Sequence, residues 1–273
     1  MSTASSGDVE WVLVTGASRG IGRAIAERLS ADGYGVILWG RTAEDLDDIA
    51  ERAGANARVA VVDVADFEAV EVADADTLGD LPSLRGVILN AGYGRWGPLS
   101  GIGVADWHQT IGTNLDGAFY TLKSTLSRVE QSPAGQVIGI ASDSALYPFP
   151  GRAAYCASKA GMKSLLESVR LDTRGQGVRT TLVFPSRVDT FFGGKRPGDR
   201  AGALSAGDIA DIISVVLALP RHLEIRELHV ASITESFGPF EERMALCPQH
   251  SASSRLCRRT IAGQLEGTRP GCE

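Results

Sequence analysis

Tyr155 and Lys159 stand four residues apart in the run Tyr155-Cys156-Ala157-Ser158-Lys159, a separation that sets a phenol and an ammonium on one face of an α-helix. With five tyrosines and four lysines in the 273 residues, roughly 0.07 pairs at this spacing are expected by chance. A phenol ordinarily titrates near ~10, but a neighbouring cation favours phenolate and lowers that value, so the spacing predicts a proton donor and acceptor usable near neutrality.

A second group of residues points to an anionic ligand. The apolar run Val12-Leu13-Val14 leads into Thr15-Gly16-Ala17-Ser18-Arg19-Gly20-Ile21-Gly22, after which Ile21, Ala24, Ile25 and Leu29 recur at helical spacing. A strand that turns through glycines into a helix offers backbone N–H groups and the positive end of the helix dipole to a pyrophosphate. Gly16 suits the tight turn, Gly20 the approach of phosphate to backbone, and Gly22 close packing of helix on strand. Ser18, Arg19 and Ile21 belong to the same turn and are candidate nucleotide contacts.

The elements that must position these groups alternate along the chain. Apolar runs at Val36 to Trp39, Val59 to Val62, Gly86 to Leu89, Gln136 to Ile140, Val178 to Phe184 and Leu228 to Val230 predict strands. Helical spacing occupies the intervals through Leu46 and Ile49, from about Val104 to Val129, from Tyr155 to Leu171, and from Asp208 to Leu219. Short, continuously apolar strands are buried on both faces, so the alternation implies an α/β fold, a doubly wound parallel sheet of Rossmann type, in a single domain over residues 1–234. From about Thr234 the periodicity is lost, and 235–273 reads as a weakly ordered C-terminal extension, with a short helix possible around Pro239 to Cys247.

Composition narrows the function classes. A net charge of −6 and 27 Lys and Arg against 33 Asp and Glu argue against nucleic-acid binding, which needs a concentrated cationic surface. No apolar run approaches a membrane span. The start of the chain lacks a secretory pattern. The four cysteines form no C-x-x-C pair and have no histidine cluster, so no metal site is expected. A cytoplasmic setting is the expectation.

The glycine spacing is G-x-x-x-G-x-G rather than the G-x-G-x-x-G of the general dinucleotide fingerprint, and in this the chain resembles the classical short-chain dehydrogenase/reductase family. The resemblance continues in order from about residue 8 to 232. Asp63-Val64 matches the family pair that contacts adenine, Asn90-Ala91-Gly92 its Asn-Ala-Gly motif, Asn114 its asparagine, and Ser142 its serine, with Ser144 as a competing hydroxyl. Pro185-Ser186-Arg187-Val188-Asp189-Thr190 resembles P-G-x-V-x-T, with Ser186 in place of the usual glycine. In the family, the segment matched by Pro185, Val188 and Thr190 contacts the nicotinamide carboxamide. Past the second strand, where an NAD site usually carries an acid, the chain reads Trp39-Gly40-Arg41. A carboxylate there would repel a 2′-phosphate, whereas Arg41, aided by Arg19, can clamp one, so NADP(H) is the expected cofactor.

The resemblance implies an oxidoreductase that interconverts a carbonyl and an alcohol. Tyr155 exchanges the proton, Lys159 holds the nicotinamide ribose and tunes Tyr155, Ser142 stabilises the substrate oxygen, and Asn114 links the relay to water. A non-catalytic NADP(H)-binding sensor or scaffold is the alternative, although such relatives usually lose the tyrosine or lysine. Aromatic and flanking residues Tyr93, Arg95, Trp96, Ala145 to Phe149, Phe191 and Phe192 are expected to wall a small-molecule substrate site suited to an apolar or cyclic compound. The Gly-rich loop between Asp189 and Asp208 is expected to be a flap. Family members usually form homodimers or homotetramers, and Ala153, Ala157, Ala160 and Gly161 would allow helices to meet closely.

Overall fold

The computed structural model of the chain describes residues 9–234. The expected C-terminal extension, with its short helix, lies outside them. Seven strands run in order β1 (Trp11–Thr15), β2 (Gly35–Gly40), β3 (Ala57–Val61), β4 (Gly86–Leu89), β5 (Gln136–Ile140), β6 (Arg179–Pro185) and β7 (Glu227–Val230). The helices are α1 (Gly20–Ala31), α2 (Ala43–Ala53), α3 (Phe67–Leu78), α4 (Val104–Ile111), α5 (Gly117–Gln131), α6 (Ala153–Asp172) and α7 (Ala206–Ala218). All strand pairs are parallel, in the order β3-β2-β1-β4-β5-β6-β7. The chain direction across the sheet reverses between β1 and β4, and in such sheets that split opens a crevice at the carboxyl ends of the strands.

The expected burial on both faces is present in the five inner strands, whereas the edge strands β3 and β7 are only partly covered. Successive residues of β1 enter different cores: Leu13 joins Ile37, Trp39 and Val87 on one face, while Val12 and Val14 join Leu38, Ile88 and Ile138 on the other. Helices α1, α2 and α7 contribute Ile25, Leu46 and Ile213 to the second face, and α3, α5 and α6 contribute Val70, Leu122 and Leu166 to the first. Trp39 is fully buried, and its indole N–H donates to Thr77 Oγ1 at 3.1 Å, which removes the cost of hiding a donor.

Helix α3 is not among the elements expected from apolar spacing. Its inward face consists of Val70, Ala73, Thr77 and Leu78, of which two are small or polar, in a segment otherwise dominated by Asp, Glu and Ala. Its start is set by chemistry instead: Asp66 Oδ1 accepts from the N–H groups of Glu68 and Ala69 at 3.0 and 3.2 Å. The helix expected from Val104 to Val129 is interrupted by a π-helical segment, Gly112–Asp116. Such segments are frequent at functional sites, and this one carries Asn114.

The junction of β1 and α1 is the tightest point in the fold. A Cβ at Gly22 would lie 2.2 Å from the Gly16 carbonyl oxygen and 2.4 Å from Asn90 Nδ2. Gly22→Ala is therefore expected to lower stability by about 1–3 kcal/mol, the usual cost of overpacking. Gly175→Ala, where no atom lies within 4 Å of the added carbon, serves as the control at about ±0.5 kcal/mol. Urea melts of both check this, and equal midpoints would show that the junction yields.

Candidate active site

The crevice begins at the glycine turn, which β4 holds open. Gly16 and Gly20 have φ of 65° and 59°, the left-handed region that glycine enters without steric cost. A Cβ at Gly16 would also stand 2.8 Å from Ala91 Cα. Thr15 Oγ1 donates to the Ile88 carbonyl at 3.2 Å and accepts from the N–H groups of Asn90 and Ala91 at 3.0 and 3.1 Å. Asn90 Nδ2 returns to the Thr15 and Gly16 carbonyls at 2.9 and 3.2 Å. Asn90 thus braces the turn with its side chain.

Apart from Asn114, every expected site residue lines one cavity of about 700 Å³. At one end lie Gly16, Ser18, Arg19, Gly20, Ile21, Arg41, Asp63 and Val64, followed by Asn90, Ala91 and Gly92. At the other are Ser142, Tyr155 and Lys159, with Pro185, Val188 and Thr190 along the wall. Arg41 sits 3.8 Å from Asp63, both half-exposed. Gly40 leaves room for the turn, since a Cβ there would be 2.5 Å from Ser18 Oγ. The hydroxyls of Thr113 and Ser186, both in the lining, are buried without a partner among the described residues, and a ligand with polar edges would satisfy them.

Tyr155 and Lys159 share the face of α6 that packs under this cavity, and both are buried. Burial pushes the Tyr155 phenol up to about 12, against a hydrogen bond with Ser142 that pulls it down, while the Asp143 carboxylate raises it and Arg152 lowers it. Lys159 is pushed down to about 8 by burial. Its ammonium donates to the Ile140 carbonyl at 2.8 Å and lies 5.9 Å from the Tyr155 ring centroid. The expectation joins Lys159 with an oxidised nicotinamide in bringing Tyr155 toward neutrality, and in the protein by itself burial dominates. Loss of water outweighs the charges nearby, and the phenol stays protonated.

Ser142, rather than Ser144, faces the cavity. Its hydroxyl donates to Asp143 Oδ1 at 2.9 Å and accepts from the Ser144 N–H at 3.1 Å. Asn114 lies behind Gly92, buried, with its side chain fully engaged: Oδ1 accepts from the Tyr93 N–H at 2.7 Å, and Nδ2 donates to the Tyr93 carbonyl and to Ser158 Oγ, both at 2.9 Å. Ser158 Oγ donates in turn to the Tyr155 carbonyl at 2.8 Å. The Asn114 side chain therefore ties the loop after β4 to α6, with no direct hydrogen bond to Lys159 among the described residues.

Of the expected substrate wall, Trp96, Phe149, Phe191 and Phe192 line the cavity, whereas Tyr93, Arg95 and Ala145 to Pro148 do not. Trp96 meets Tyr155 edge-on at 5.2 Å between ring centroids, and Phe192 lies 5.5 Å from Tyr155. Asp143, Arg152 and Arg200 also line it and were not anticipated. No motif marks them, because exposed charged residues are the default in loops.

The profile of the short chain dehydrogenase family matches residues 10–200. The chain belongs to this family. It is 33% identical over 247 residues to a protein named sulfoacetaldehyde reductase 2 from Chromohalobacter salexigens, covering 84% of this chain and 96% of that one. It is 32% identical over 239 residues to the NADP-dependent 3-hydroxy acid dehydrogenase YdfG of Salmonella typhi, covering 83% and 96%. Among solved structures it is similar to an alcohol dehydrogenase from Thermococcus sibiricus complexed with 5-hydroxy-NADP, with a TM-score of 0.80 and 29% identity, covering 84% of this chain and 99% of that one.

In this short chain dehydrogenase the loop expected to be a flap is buckled to the cavity wall. The Arg200 guanidinium donates to three carbonyls, those of Val188 at 2.8 Å, Thr190 at 3.0 Å and Phe192 at 2.6 Å. Asp189 N–H donates to the Leu204 carbonyl at 2.7 Å, and Leu204 N–H to the Arg187 carbonyl at 3.0 Å. Replacing Arg200 leaves three carbonyls without their donor, so Arg200→Ala is expected to raise the dissociation constant for NADPH by roughly 10-fold, measured by quenching of protein fluorescence. An unchanged constant would show that the loop needs no buckle.

The buried ammonium also has a pH signature. Folded, Lys159 loses its proton near 8, whereas its ordinary value is 10.5. Across that window the unfolded chain holds the extra proton, so this group makes stability rise with pH. Tyr155, raised from 10.0 to about 12, acts in the opposite sense only above about 10. The melting temperature of the wild type is thus expected to gain on that of Lys159→Met between about pH 8 and 10. A constant offset in paired thermal melts would contradict the buried cation.

Proposed function

We propose that this short chain dehydrogenase is an NADP(H)-dependent oxidoreductase that interconverts a carbonyl and a secondary alcohol, with Tyr155 as the proton donor in reduction. The observation that carries the reading is the convergence of Tyr155, Ser142 and Lys159 at the floor of the same cavity that begins at the glycine turn. The names of similar proteins support the cofactor, one being NADP-dependent and another a structure complexed with an NADP analogue.

The residues present fit the nucleotide. The left-handed Gly16 and Gly20 bring backbone to the phosphates, and the unpartnered hydroxyls of Thr113 and Ser186 offer further contacts. Arg19 and Arg41 would hold the 2′-phosphate, the latter exchanging part of its pairing with Asp63 for it. When bound, the nicotinamide nucleotide supplies the hydride. A carbonyl oxygen entering beside Tyr155 meets the Tyr155 and Ser142 hydroxyls, which orient it and share the charge that develops there. The phenol, held protonated by burial, delivers its proton to that oxygen. Lys159 keeps its ammonium below the ring, where it stabilises the phenolate left behind. Asn114 positions Tyr155 through Ser158.

Mixing the protein with NADPH or NADH and a panel of ketones and aldehydes, and following loss of nicotinamide absorbance, tests the reading. Turnover is expected with NADPH, with Tyr155→Phe slower by about 10²–10⁴-fold, the usual worth of a general acid. Arg41→Ala is expected to raise KM for NADPH more than for NADH. Tight NADPH binding with no turnover across the panel would favour a sensor or scaffold instead.

A further inference from the structure

We infer that Arg152 makes the substrate end of this cavity a subsite for an oxyanion, so that the enzyme acts on small carbonyl or hydroxy compounds carrying a carboxylate or sulfonate. This rests on the oxidoreductase reading above and adds the substrate class. The cavity lining holds six cationic side chains, Arg19, Arg41, Arg152, Lys159, Arg187 and Arg200, against two acids, Asp63 and Asp143. Most of these cations have other engagements. Arg41 faces Asp63, Lys159 is held by the Ile140 carbonyl, Arg200 is spent on three carbonyls, Arg187 is engaged elsewhere, and Arg19 sits in the glycine turn.

Arg152 is different. Its guanidinium lies over the rings of Trp96 and Phe149, at 5.0 and 4.9 Å from their centroids, and has no hydrogen bond or ion pair among the described residues. Aromatic faces fix the plane of a guanidinium while leaving its N–H edge free for a bidentate oxyanion. It is also close to the reacting centre: Trp96 touches Tyr155 edge-on at 5.2 Å. The two centroid distances bound the gap from the guanidinium carbon to the phenol ring at about 10 Å. That bound is within reach of a short-chain compound hydrogen-bonded at each end.

Asp143 sets the polarity. Its carboxylate lies beside Ser142, from which it accepts a hydrogen bond, and no ion pair joins it to Arg152 among the described residues. An anionic substrate is therefore repelled from the Ser142 side and drawn to the Trp96 side, which leaves its carbonyl at Tyr155. The aromatic lining, expected to select an apolar or cyclic compound, serves here as the seat of the cation.

Acetoacetate and succinate semialdehyde, each compared with its methyl ester, test this in NADPH-dependent reduction. The acid is expected to exceed its ester in kcat/KM by roughly 10–100-fold in the wild type, the worth of a charge-assisted contact. In Arg152→Gln that ratio should fall to near unity, mainly through KM for the acid, and Arg152→Lys should restore part of it. A wild-type ratio at or below unity, or equal losses for acid and ester in Arg152→Gln, overturns the inference and leaves the oxidoreductase reading intact. Calorimetric titration of the NADPH-loaded protein with 3-hydroxybutyrate, a reduced pair that cannot react, reads the subsite without turnover. Weaker binding in Arg152→Gln supports it, and equal or absent binding sinks it, whereas failure of NADPH to be consumed with any carbonyl sinks the oxidoreductase reading.

Discussion

At the carboxyl end of β1, helix α1 approaches the turn that precedes it so closely that Gly22 faces the Gly16 carbonyl with no space for one more carbon. The same carbonyl accepts from the Asn90 side chain, and the Thr15 hydroxyl receives two backbone N–H groups from the start of the loop after β4. The β1–α1 turn and the loop after β4, 75 positions apart, thus share one hydrogen-bonded knot. Its consequence is geometric. The crevice between β1 and β4 is held at a fixed width, and the residues at the ends of β2, β5 and β6 open into the same cavity from either side.

Across the cavity the governing term is desolvation. Helix α6 presents Tyr155 and Lys159 on its buried face, and burial moves both groups toward their uncharged forms, the phenol upward and the ammonium downward. Ser142 and the Ile140 carbonyl are the polar contacts that make the arrangement tolerable. Such a site has stored sensitivity to charge, because a ligand bringing phosphates and a positive ring alters groups that water no longer buffers. The buckle of Arg200 and the brace of Asn114 belong to the same economy of polar atoms: each closes a loop by meeting backbone groups that would otherwise be buried unpaired.

Much of this was legible in the chain. The glycine turn, the Tyr155 to Lys159 spacing, the strand ends at Asp63, Asn90, Ser142 and Pro185, and the alternation of strand and helix all depend on local rules, on period and on backbone conformation. These are written within a few consecutive residues. Helix α3 escaped because its buried face is small and polar, and its start rests on a single aspartate cap. The places of Asp143, Arg152 and Arg200 in the cavity wall escaped for a different reason: a charged side chain in a loop looks the same whether it meets water or a partner far along the sequence.

By itself, then, the sequence determined the type and order of most elements, the hand of the glycine turn and the placing of Tyr155 and Lys159 on one helix face, since helical periodicity and glycine's freedom at positive φ act over a few residues. Only the tertiary structure decided how those groups are charged and who holds them. Burial acts on Tyr155 and Lys159 through the packing of α6 against β5, Asn114 reaches its partners across 21 and 44 positions, and Arg152 meets Trp96 from the far side of β5. Desolvation and hydrogen bonding depend on which atoms are near in space, and that proximity exists only once the sheet has assembled.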